Sequence, residues 1–142
     1  MYSGKKKQHT LKSQVVVNQR TRAIICTAHG QGRVHDFRLF QTSRVRLTPH
    51  LTLIADKGYQ GIVKLHANSQ VPTKKTKSGK LSHSKRQANR CLNRQRIVIE
   101  HVNRCLKIFR ILSERYRNRR RRFGLRFNLI AGIYNFELKL PS

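Results

Sequence analysis

Carboxylates are the scarce chemical groups in this chain: five Asp and Glu stand against 32 Lys and Arg. Three of them adjoin apolar runs or motifs that a fold would hold rigid. Asp36 closes Gly32-Arg33-Val34-His35-Asp36, Asp56 follows Leu53-Ile54-Ala55, and Glu100 follows Ile97-Val98-Ile99. A chain that holds polyanions gains nothing from scattered acids, so these three are candidates for metal ligation. Carboxylates converging from a strand end, a loop and a packing helix can bind divalent cations. Two such metals roughly 4 Å apart activate water or a 3′-hydroxyl for phosphodiester chemistry. Each residue also has a plainer reading. Asp56 can form the turn before Gly58, Glu100 can pair with Arg96 or Arg104 one helical turn away, and Asp36 can cap a helix. Glu114 and Glu137 have no assigned role.

The elements that must position these groups follow from patterning. Residues 9–17 are extended and β-branched, Asn18-Gln19-Arg20 forms a turn, and residues 21–28 give a second strand, so an antiparallel hairpin is expected. Gly30 and Gly32 end it and lead to His35-Asp36, from which a short helix runs over 37–43 with Phe37 and Phe40 inward. The apolar run at 51–55 predicts a strand buried on both faces, with Asp56 at its carboxyl end and Gly58 and Gly61 allowing a tight exit. Functional groups gather at such strand ends in open α/β sheets. A short helix at 62–67 and a strand at 70–74 complete the α/β core, and 73–84, rich in Lys, Ser, Thr and Gly, is a loop.

The longest helical pattern covers 84–113, where Cys91, Val98, Val102, Cys105, Phe109 and Leu112 recur at helical spacing and define an apolar face. At about 100° per residue Glu100 points away from that face, with Arg96, Arg104 and Lys107 within about 40° of it. A last helix over 123–138 carries Phe127, Ile130, Tyr134 and Leu138 inward.

At 142 residues the chain is read as one domain. Its formal charge of +27 would oppose folding by self-repulsion unless a polyanion neutralised it. Nucleic acid is the expected partner, because each neutralised phosphate releases a counterion. Six arginines in the eight residues 115–122, among them Arg117, Arg119, Arg120 and Arg121, are read as phosphate contacts. Lys5 to Lys7 and the lysines of 74–80 add affinity without readout of sequence. A membrane is not expected as partner, since no segment approaches the roughly 20 apolar residues of a span. No apolar leader follows Met1, so the expected address is cytoplasmic, at the nucleoid. The three cysteines lack Cys-x-x-Cys pairing, and buried free thiols are expected. His101 and Cys105 at i,i+4 are too few ligands for zinc.

Four blocks together resemble DDE-type transposases of bacterial insertion sequences. They are Tyr2-Ser3-Gly4-Lys5-Lys6-Lys7-Gln8-His9-Thr10-Leu11-Lys12, Gly32 to Asp36, Ala55-Asp56-Lys57-Gly58-Tyr59-Gln60-Gly61, and the stretch from Ile99-Glu100-His101 to Leu112. The spacing of Arg96, Glu100 and Lys107 matches the family, while Asn93 stands where a tyrosine is expected. The resemblance implies an α/β, ribonuclease-H-like fold with a long C-terminal helix carrying the glutamate. It implies catalytic, metal-binding Asp56 and Glu100, with Mg²⁺ or Mn²⁺ as cofactor. Arg96, Arg104 and Lys107 would hold DNA, and His35-Asp36 would be an accessory motif. The first catalytic strand and its aspartate should lie just upstream of Tyr2. Residues 1–142 are therefore expected to be the C-terminal part of a transposase catalytic domain, doubtful as an enzyme alone. Its partners would be DNA and either the upstream part of the same transposase or a second copy. The alternative is a non-catalytic, basic nucleic-acid-binding or transposition-regulating protein.

Overall fold

The computed structural model describes residues 10–114 and 120–142. Lys5 to Lys7, Arg117 and Arg119 lie outside the described residues. Two strands, β1 (Leu11–Val17) and β2 (Ile24–Gln31), form the expected hairpin, antiparallel from Leu11 opposite Gln31 to Val16 opposite Cys26. A bulge between Val16 and Val17 then brings Val17 opposite Ile24. The Asn18 side chain sets the turn by accepting the Arg20 and Thr21 amides, both at 3.0 Å, as Asn does in such turns. Arg22 completes it in the left-handed region, at φ 63°.

Helix α1 (Asp36–Ser43) buries Leu39 and Phe40, with Phe37 half-buried. Its cap differs from expectation. His35 Nδ1 accepts the Phe37 amide at 3.3 Å, so His35 is the cap and Asp36 the first helical residue. There its charge favours the positive helix start. The run at 51–55 also differs: only β3 (Leu53–Ile54) is strand, pairing in parallel with β4 (Ser69–Gln70). Both of its residues are half-buried rather than covered on two faces. Between β3 and β4 the expected helix is a single 3₁₀ turn, Ile62–Lys64.

The long helix α2 (His83–Leu106) starts where Ser82 Oγ accepts the Lys85 amide. Buried Asn89 ties the preceding loop to it, donating to the Thr73 carbonyl at 3.0 Å and accepting its amide at 2.8 Å. The buried face passes through Asn89, Val102 and Leu106, whereas Cys91 and Cys105 are exposed. The expectation of two buried thiols there is thus corrected, and the apolar face is rotated by one residue. The helix also stops earlier than the pattern implied. Amide-to-carbonyl bonds tighten to i→i−3 at Ile108 and Phe109, and a new turn, α3 (Arg110–Ser113), begins. On one straight helix Phe109 and Ile111 would point about 160° apart. The break lets Phe109, Ile111 and Leu112 all reach the core.

That core joins three elements: Ile24 of β2, Val102 and Leu106 of α2, and Phe123, Phe127, Ile130, Ala131 and Tyr134 of α4 (Phe123–Glu137). Burying such large side chains contributes about 1.5–3 kcal/mol each, more than half-exposed ion pairs contribute. Helix α4 also closes the outer edge of β2. Asn135 accepts the Ile24 amide and donates to its carbonyl, both at 2.8 Å, and Asn128 bonds to Thr27. The other side of α4 is apolar yet exposed, with Leu125, Leu129, Ile133 and Phe136 along it.

Candidate functional site

Asp56 follows β3 and caps the 3₁₀ turn Lys57–Tyr59: its Oδ1 accepts the Lys57 amide at 2.6 Å, and its carbonyl accepts the Tyr59 amide at 2.9 Å. The turn-former reading of Asp56 is therefore correct, and it leaves the side chain 52% exposed for other partners. One is Arg96 of α2, whose Nη1 lies 3.4 Å from Asp56 Oδ1. Arg96 thus pairs across to the strand end, and neither it nor Arg104 pairs with Glu100 among the described residues.

Glu100, one turn beyond Arg96 on α2, is exposed and lines a cleft of about 690 Å³ that Asp56 also lines. One wall comprises β1 and its turn, another the segment 51–56, and a third Arg96, Ile99, Glu100 and Asn103 of α2. Asp36, Gln14 and Tyr59 line it as well. Asp36 at the start of α1, Asp56 after β3 and Glu100 on α2, distant in sequence, border one space. Arg104 and Lys107 are exposed further along the helix end, outside the cleft lining. Arg120 and Arg121 are exposed in a 3₁₀ turn leading into α4.

Tyr59 feels both aspartates and Arg96. Burial, then the fields of Asp36 and Asp56, push its phenol up to about 12, with Arg96 opposing. It therefore remains a hydrogen-bond donor, directed at Gln14 Oε1 at 3.5 Å. Gln14 itself is buried, and its Nε2 has no partner. Sequence reasoning passed over Gln14, since a Gln within β-branched neighbours carries no functional signature. It also passed over Lys12 as a pairing residue. Lys12 Nζ lies 2.8 Å from Asp36 Oδ1 and donates to the Val34 carbonyl at 2.7 Å. The only hint was its place at the end of a quoted motif block.

The donor chemistry suits a hard cation. Carboxylate and amide oxygens border the cleft without a thiolate or imidazole ligand set, and Mg²⁺ binds through one or two carboxylates while keeping waters. Asp56 and Glu100 are oxygen donors of the kind such a hydrated ion takes, and both line the cleft. They do not make a complete cage: among the described residues no group of three His, Cys, Asp or Glu side chains is placed to hold a metal. His101 and Cys105 accordingly form no zinc site.

A family model described as DDE superfamily endonuclease matches residues 1–135. This chain belongs to that family. It is also 63% identical, over 141 residues, to the probable transposase for insertion sequence element IS702 of Microchaete diplosiphon. The match takes in 99% of this chain and 51% of that relative, so the chain spans about half the length of the curated transposase it resembles. No solved structure matches. The DDE superfamily assignment agrees with the mixed α/β architecture. Among the described residues no helix is long and apolar enough to cross a membrane.

Proposed function

We propose that this chain forms the C-terminal part of the ribonuclease-H-like catalytic domain of a DDE transposase, which cuts and rejoins DNA at transposon ends. The observation that carries the reading is the shared cleft of Asp56 and Glu100, contributed by a strand end and a separate helix. These two residues would hold Mg²⁺ or Mn²⁺, which when bound supplies Lewis-acid activation of water or a 3′-hydroxyl and neutralises charge at the reacting phosphate. Arg96 sits beside Asp56, where its guanidinium can hold a DNA phosphate next to the reacting position. Arg104, Lys107, Arg117, Arg119, Arg120 and Arg121 would extend that grip along the flanking backbone, and the complex would act at the nucleoid.

The ribonuclease-H-like reading is supported by what the cleft separates. Among the described residues each sheet has two strands, and β1 and β3, members of different sheets, both border the cleft. A further strand laid there would join them into one sheet and bring a third carboxylate beside Asp56. We assign that strand to the upstream part of the same transposase, outside residues 1–142. His35 and Asp36 do not take its place as ligands.

Cleavage of a labelled transposon-end duplex tests this. With Mg²⁺ or Mn²⁺, the chain and the upstream part supplied separately should nick the duplex together. The chain alone should do so at least about tenfold more slowly, the lower end of what loss of a group supporting a metal site costs. Asp56→Asn and Glu100→Gln should each abolish the joint activity. A joint activity indifferent to Glu100→Gln would refute the assignment. DNA binding with steep salt dependence but no metal effect would instead favour the non-catalytic, transposition-regulating alternative.

A further inference from the structure

The His35-Asp36 motif is left without a role by the metal site, yet the Asp36 side chain is held by an ion pair and lies against Gly58. We infer that Asp36 is a positioning residue: its carboxylate, anchored by Lys12, is the strut against which the turn carrying Asp56 is set.

The two carboxylate oxygens have different duties. Asp36 Oδ1 lies 2.8 Å from Lys12 Nζ, and that ammonium also donates to the Val34 carbonyl at 2.7 Å, so the anchor is itself held in place. Oδ2 lies against Gly58. A Cβ added at Gly58 would come 2.2 Å from Oδ2, closer than atoms can approach, and a tight 3.1 Å from the Asp36 Cγ. The Asp36 side chain therefore occupies the space that any side chain at position 58 would need. Gly58 does not have positive φ, unlike Gly61 at 93°, so what a side chain there would meet is the anchored Asp36 carboxylate rather than a backbone restriction.

Two further contacts make α1 and the turn one unit. Phe37 lies 3.4 Å from the Cβ position of Gly61, and the Phe40 and Tyr59 rings meet edge to face at 6.4 Å between centroids. Asp56 takes its orientation from this turn, through the Lys57 and Tyr59 amides. The half-exposed Lys12–Asp36 pair is worth little as a salt bridge. Its effect is geometric: Asp36 places Gly58, and Gly58 places Asp56. The geometry stands on its own, whereas its consequence for metal binding rests on the reading of Asp56 and Glu100 as ligands.

Site-resolved amide exchange in the 142-residue chain tests the strut without any metal. Asp36→Ala and Gly58→Ala should each speed exchange of the Tyr59 amide by about tenfold, leaving the Leu106 and Ile130 amides of the distant core unchanged. Adding Gly58→Ala to Asp36→Ala should change little more, because the space is already vacant. Asp36→Asn keeps the volume and loses the anchor, and should shift the exchange in the same direction by less. Unchanged Tyr59 exchange in Asp36→Ala, or a full additive effect of Gly58→Ala, would overturn the strut.

Titration with Tb³⁺, a hard-oxygen probe excited through nearby tyrosine, tests the consequence. Weakened Tb³⁺ binding in Glu100→Gln supports the ligand reading, and equal binding refutes that reading while the exchange data still judge the strut. Where Glu100→Gln weakens binding, Asp36→Ala should weaken it by about tenfold. Unchanged affinity in Asp36→Ala would then show that the strut does not serve the metal.

Discussion

Asp56 Oδ1 is shared between the Lys57 amide at 2.6 Å and Arg96 Nη1 at 3.4 Å, so a cation arriving at this carboxylate meets a guanidinium already in place. A divalent ion held by Asp56 as proposed would compete with Arg96 for one oxygen, and by linkage each would weaken the hold of the other. Because Asp56 is half-exposed, the competition is weak. Arg96→Gln should tighten Mn²⁺ binding by less than about fivefold, the worth of an exposed ion pair, measured by the free-ion electron paramagnetic resonance signal. Looser binding in Arg96→Gln would mean that Arg96 helps to form the site rather than guarding it. Single residues of this kind were legible in the sequence when their type was scarce. Asp56 and Glu100 stand out in so basic a chain, and both border the cleft. Asp36 was legible as a group near a helix start, but not as a strut, because its partners Lys12 and Gly58 are brought to it only by the fold.

Among the elements, β2 carries the clearest device. Its outer edge would offer the Ile24 amide and carbonyl to any passing strand, and the Asn135 side chain occupies both at 2.8 Å. Ile24 is only 7% exposed, so water cannot replace the amide when it is removed. Asn135→Ala should therefore cost about 1–3 kcal/mol in urea unfolding, the range for buried backbone groups left unpaired. Asn135→Asp, which keeps the acceptor and loses the donor, should retain part of the effect. A neutral Asn135→Ala would show that the edge finds other partners. The hairpin was readable because β-branched residues and an Asn turn act locally. The face of α2 was not readable, because Cys91 and Cys105 fit an apolar period while buried Asn89 breaks it. Polar Asn89 is buried to satisfy the Thr73 backbone, a need that arises only after the loop has folded back. The run at 51–55 looked doubly buried for a related reason. Apolar residues report that a surface is to be covered, not which residues will cover it.

For the whole molecule, charge dominates. The 32 Lys and Arg outnumber the five acids so far that only two, Lys12 and Arg96, form salt bridges among the described residues, with Asp36 and Asp56. With 32 basic and five acidic residues, most of the basic charge has no carboxylate to offset it. Binding to a short duplex in metal-free buffer should weaken steeply with salt, with a log–log slope of about −5 or steeper, as for six or more phosphate contacts. Asp56→Asn and Glu100→Gln should leave that slope within about one of the parent value, since neither residue releases a counterion from DNA. A shallow slope, measured by fluorescence anisotropy across salt concentrations, would mean that the positive charge lies away from the DNA.

The exposed row Leu125, Leu129, Ile133 and Phe136 on α4 gives ionic strength a second, opposite effect on the isolated chain. In dilute buffer, repulsion between highly charged copies keeps these greasy flanks from meeting, but the same buffer leaves stray nucleic acid firmly attached. Concentrated salt strips the nucleic acid and also screens the repulsion, bringing the flanks within reach of each other. Purification of this chain must therefore work inside a narrow window, or supply a mild detergent when the salt is raised.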